Sequence, residues 1–158
     1  MEIKQILYID DSLENGATAL AVDSRVDYVS DPSLIEMPLR DYDCIITDMQ
    51  MKDEKSGLEV VENSIREGKL PWVVTGGTYQ HGGTFNRVRL YNAVESRIFN
   101  KLSKSDRKFW EEVIPFIDEN NENATQKALQ KVHSVLGVTP PGTLDMLMRF
   151  YREQQKEK

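Results

Sequence analysis

The chain is poor in the groups that several function classes depend on. Its single cysteine, Cys44, rules out an internal disulfide, and its place in the apolar run Cys44-Ile45-Ile46-Thr47 predicts a buried thiol in a reducing compartment. Two histidines, His81 and His133, with that one cysteine leave little from which to build a zinc site. No apolar stretch reaches the roughly 20 residues that span a bilayer, and the opening Met1-Glu2-Ile3-Lys4 lacks a signal-peptide profile. A cytoplasmic protein with no membrane partner is the expectation. Positive charge is also scarce. A formal net charge of −6 and a pI near 5.0 argue against a surface built for nucleic acid. Four of the nine glycines fall in Gly76-Gly77-Thr78-Tyr79-Gln80-His81-Gly82-Gly83, but no Gly-Lys-Ser/Thr ending follows, which speaks against a nucleotide-binding P-loop.

What the chain does have is alternation. Apolar runs at about 4–10, 25–29, 43–48, 71–75 and 96–100 predict strands, and helical periodicity appears near 12–22, 32–38, 57–67, 84–94 and 105–119. This order predicts an α/β fold, a parallel sheet with helices on both faces. Pro32 opens the second helical stretch and Pro38 ends it. Ser105-Asp106 predicts the cap of the fifth, whose Phe109, Trp110, Val113 and Ile114 form an apolar stripe. The polar run Glu119-Asn120-Asn121-Glu122-Asn123 reads as a linker or helix cap, dividing a domain over 1–120 from a helical extension over 121–158. Within that extension Leu129, Val132, Val135 and Leu136, then Leu144, Leu147, Met148 and Tyr151, mark two short amphipathic helices.

Parallel strands bring their carboxyl ends to one rim of a sheet. The residues at those ends are Asp10 and Asp11, Asp48, Thr75 and Lys101. Three carboxylates crowded together repel one another, and a divalent cation relieves the repulsion. Hard oxygens suit Mg²⁺, which binds through one or two carboxylates, several waters and a phosphate oxygen. The Thr75 hydroxyl and the Lys101 ammonium would then complete a pocket for a phosphoryl group. Asp10 and Asp11 equally suit the capping of the first helix.

Taken in this order, the segments resemble the receiver domain of two-component response regulators over roughly residues 4–120. Ile6 to Asp11 looks like the first strand with its acidic pair, and Cys44 to Met51 like the third strand with the phospho-accepting aspartate at Asp48. Ser56-Gly57-Leu58-Glu59-Val60-Val61 resembles the start of the third helix, Pro71 to Gly76 the fourth strand, and Lys101 the lysine that ends the fifth. The resemblance implies a doubly wound, flavodoxin-like sheet of five parallel strands in the order 2-1-3-4-5. It also implies Mg²⁺ held by Asp11 and Asp48, by Asp10 directly or through a water, and by the backbone carbonyl of Gln50. Asp48 would be the nucleophile, with Lys101 and Thr75 on the phosphoryl oxygens. Enzymatic activity would be at most Mg²⁺-dependent self-phosphorylation and self-dephosphorylation. A histidine kinase or phosphotransfer protein would be the donor, and output would be contact with a downstream protein.

The chain departs from the family pattern at four places, the first being a loop from Asp48 to Gly57 one residue longer than usual. Lys52 follows Met51 where the family has proline, Leu102 follows Lys101 where it again has proline, and Ile98 holds the aromatic switch position. A second reading is therefore a pseudo-receiver, an interaction module that keeps the fold without phosphorylation. A haloacid-dehalogenase-like phosphohydrolase would need an acid at position 12, where the chain has Ser12.

Overall fold

Strands β1 (Ile6–Ile9) and β3 (Cys44–Thr47) are buried on both faces, as central strands of a covered parallel sheet must be. They pair with each other in register, Ile6 opposite Cys44 and Ile9 opposite Thr47. Strand β2 (Val26–Val29) flanks β1, while β4 (Trp72–Thr75) and β5 (Ile98–Asn100) extend the sheet beyond β3. The result is one five-stranded, all-parallel sheet in the order β2-β1-β3-β4-β5. The computed structural model describes residues 2–49, 51, 54–67, 69–75, 94, 97–100 and 104–136, with backbone alone at 54–56, 66, 100 and 122–136.

Side chains alternate across the sheet, so each strand feeds two cores. On one face Ile6, Tyr8, Cys44, Ile46, Trp72 and Val74 pack with helix α1 (Leu13–Val22) and the first half of helix α3 (Arg107–Leu136). On the other, Leu7, Ile9 and Ile45 pack with Val60 of helix α2 (Glu54–Arg66) and with Leu39 and Tyr42. Cys44 lies in the first core as a thiol, and burial pushes its pKa up to about 12, so it stays neutral and inert. Among the described residues, no helix is long and apolar enough to cross a membrane.

Two expectations need correction. The stretch 32–38 holds one 3-10 turn, Pro32–Leu34, capped by the Asp31 side chain on the Ser33 amide, and a second turn follows at Leu39–Asp41. Pro38 cannot donate to a helical ladder, and only five residues separate it from Pro32, too few for a stable helix. The second correction concerns the polar run Glu119–Asn123, which is helical, since α3 passes through it without a break. Asn121 is an anchor there. Its Oδ1 accepts from the Trp72 indole at 2.9 Å, its Nδ2 donates to the Asp43 carbonyl at 3.1 Å, and its own carbonyl accepts from Arg97. Arg97 is buried against the Trp72 ring, 4.4 Å from its centroid, and desolvation lowers its pKa to about 10. The helix expected near 84–94, apart from Val94, falls outside the described residues, as do the 76–83 loop and the 144–151 pattern.

Arg25 ties the start of β2 to α3. Its guanidinium donates to Asp23, to Asp118 at 2.8 Å and to the Ile3 carbonyl at 2.9 Å. Hydrogen bonds from Arg25 hold the Asp23 carboxyl below its usual range. A depressed carboxylate contributes stability above its unfolded pKa of about 3.9 and loses it as pH falls through the lower folded value. Arg25→Ala is expected to cost about 1–2 kcal/mol at pH 7, discounted for partial exposure. Denaturant unfolding should show that deficit shrinking below about pH 4.

Candidate functional site

The same alternation that builds the first core decides where the acids go. Asp10 follows Tyr8 by two residues and Asp48 follows Ile46 by two, so both carboxylates leave the rim on the face that carries α1 and α3. The Asp48 amide donates to the Ile9 carbonyl at 2.9 Å, which locks the two strand ends together. Ligand oxygens of Asp10, Asp11 and Asp48 all lie within 4.8 Å of one another. Asp10 and Asp48 are buried and Asp11 is exposed.

Among the described residues, the cation between Asp10 and Asp48 is Lys104. Its Nζ lies 2.8 Å from Asp48 Oδ1 and 3.0 Å from Asp10 Oδ2, and it donates to the Val74 carbonyl at 3.4 Å, so all three ammonium hydrogens have an acceptor. Lys104 stands in the turn before α3, whose first amides are met by Asp106, with the Lys108 amide on its Oδ1 at 3.0 Å. Because α3 packs on the face where Asp10 and Asp48 emerge, the lysine just ahead of its cap arrives between them. Lys101, the lysine expected from sequence, lies outside the described residues, and so does Gln50. The chain offers two lysines in Lys101-Leu102-Ser103-Lys104, and the end of an apolar run points to the first. The signal for the second is its distance from the Ser105-Asp106 cap. Thr75 ends β4 on the same rim and is buried.

Asp10 carries four donors. Oδ1 accepts from the Ser12 amide at 2.9 Å, and Oδ2 accepts from Lys104, from Asn15 Nδ2 at 3.1 Å and from the Tyr8 phenol. Burial, then the charge of Asp10, pushes the Tyr8 pKa far up, so the phenol stays protonated and donates. The helix cap itself is Ser12, whose Oγ accepts from the Asn15 amide at 3.3 Å. The acidic pair is thus spared for the rim.

Two glycines allow this packing. A Cβ on Gly57 would stand 2.7 Å from the Asp48 carbonyl oxygen and from Met49 Cα, so α2 reaches the backbone behind Asp48 only without a side chain there. A Cβ on Gly16 would meet the Tyr28 ring at 2.4 Å. That ring's hydroxyl donates to the Asp10 carbonyl at 2.7 Å, holding the β1 end from outside.

Desolvation, followed by the charge of Asp10, raises the Asp11 pKa. A carboxyl whose folded pKa is raised destabilises the fold once both states are ionised, and the penalty vanishes as pH drops below the unfolded value. Asp11→Asn should therefore raise the metal-free melting temperature slightly at pH 7. If these acids hold Mg²⁺, the same variant should weaken its binding by about 10–100-fold in calorimetry, the loss known even for outer-shell partners of a metal.

No family model matches the chain, and neither the curated proteins nor the solved structures yield a match.

Proposed function

We propose that the chain is a phosphorylation-dependent signalling receiver in which Asp48 accepts a phosphoryl group from a phosphohistidine donor or a small acyl phosphate. The observation that carries this reading is Lys104 Nζ, held across Asp48 and Asp10 at a strand-end rim. An ammonium already touching the nucleophile follows the charge as it moves onto phosphoryl oxygens, at little cost in reorganisation. In the transfer, an Asp48 oxygen bonds to phosphorus as the P–N bond to histidine, or the P–O bond to an acyl group, breaks. The leaving group keeps the electron pair.

The donor set fits a hard divalent cation. Asp11 and Asp48 would hold it, while Asp10, with four hydrogen bonds already accepted, would contribute through a water. Such an ion, when bound, offsets the clustered negative charge of acids and phosphoryl group. Thr75 would donate to a phosphoryl oxygen. The sheet order supports a doubly wound, flavodoxin-like fold as part of the same reading. The donor would be a histidine kinase or phosphotransfer protein in the cytoplasm, and output would be protein–protein contact.

The four donors on Asp10 favour one alternative, a pseudo-receiver in which the acids and Lys104 only hold the rim together. Intact mass measured after incubation with acetyl phosphate and Mg²⁺ separates the two readings. A receiver gains the mass of one phosphoryl group. An unchanged mass leaves the pseudo-receiver.

A further inference from the structure

The contacts around Lys104 close into a circuit that includes helix α3. The Lys104 carbonyl accepts from Trp110 Nε1 at 2.7 Å. The Trp110 indole packs on the Tyr8 ring with centroids 4.7 Å apart, the Tyr8 phenol donates to Asp10 Oδ2, and Asp10 Oδ2 holds Lys104 Nζ. One residue is thus tied at both ends, its ammonium to the acids and its carbonyl to the first turn of α3. Trp110 is fully buried, and the Lys104 side chain is 9% exposed. With almost no water to substitute for a lost partner, both ties are expensive to break. A displacement of Nζ is then absorbed by the lysine stem or carried through the carbonyl into the indole.

We propose that Trp110 is a positioning residue for Lys104, and that through this bond α3 senses the charge on Asp48; the inference rests on the reading of Asp48 as the reactive group. Asp48→Asn keeps an acceptor oxygen near Nζ but removes one of its two charged partners, leaving Asp10 as the stronger. The turn at 104–105 shifts in response, and the indole N–H of Trp110 moves with it. Trp72 supplies an internal reference, because its indole N–H donates to Asn121 at the far end of the sheet-packed part of the same helix. The sequence has only these two tryptophans. An indole N–H spectrum of the ¹⁵N-labelled full chain therefore holds one signal for each rim.

Trp110→Phe or Trp72→Phe, whichever folds, assigns both signals. In Asp48→Asn the Trp110 signal is expected to move by several linewidths while that of Trp72 stays in place. Mg²⁺ alone should move the Trp110 signal of the parent chain, and Lys104→Met should remove that response. Trp110→Phe keeps an aromatic ring but not the donor, and should slow phosphoryl capture by about tenfold or more with Mg²⁺ affinity unchanged. A Trp110 signal unmoved in Asp48→Asn, or moving in step with Trp72, overturns the coupling. If Trp110 responds but acetyl phosphate adds no mass, the coupling stands and the receiver reading falls. If mass is added while Trp110 ignores Asp48→Asn, the coupling falls and the receiver reading stands.

Discussion

Lys104→Met should destabilise the protein by about 3–5 kcal/mol, since removing one partner of a buried ion pair leaves its carboxylates uncompensated. Here two carboxylates, Asp10 and Asp48, lose the same cation, and both are buried. Under the proposed reading Mg²⁺ binds only the folded chain, so millimolar Mg²⁺ should recover part of the loss by mass action. Phosphoryl capture should fall by about 10²–10³-fold, the usual cost of deleting one preorganised donor to developing charge. Denaturant unfolding with and without Mg²⁺ measures the first effect, and time-resolved intact mass the second. A parallel Lys101→Met variant separates the two lysines, and the larger loss is expected at Lys104. Unfolding unchanged in Lys104→Met would mean that the ion pairs contribute nothing in solution.

Asp48→Asn should abolish phosphoryl capture while shifting stability by no more than about 1 kcal/mol, because the amide retains an oxygen acceptor for Lys104. Asp10 keeps the lysine paired, so no bare charge is left behind. The two variants therefore have different signatures, one losing stability and function together and the other function alone. An adduct that persists in Asp48→Asn would move the phosphoryl site to another residue.

Much of the site is legible in the amino-acid sequence. Asp10, Asp11, Asp48 and Thr75 all end apolar runs, and a parallel sheet has only one rim on which such ends gather. The apolar positions of Phe109, Trp110, Val113 and Ile114 likewise announce the buried face of α3, and all four are in the core. Local pattern fails where the partner is distant in sequence. Glu119–Asn123 is polar enough to be a linker, yet Asn121 meets Trp72, Arg97 and Asp43, which no window around residue 121 contains.

The chain order alone determined the strands, the parallel sheet and the rim that gathers the acids, because hydrophobic period and strand-end chemistry are local properties. Tertiary structure decided that Lys104 meets those acids. Lys101 follows a strand, which made it the expected cation, whereas Lys104 precedes a helix. Its reach depends on the face on which α3 packs and on the Trp110 bond to its carbonyl. That face is set by how the apolar stripe of α3 fits Tyr8, Ile46 and Val74, three strands brought together only by folding.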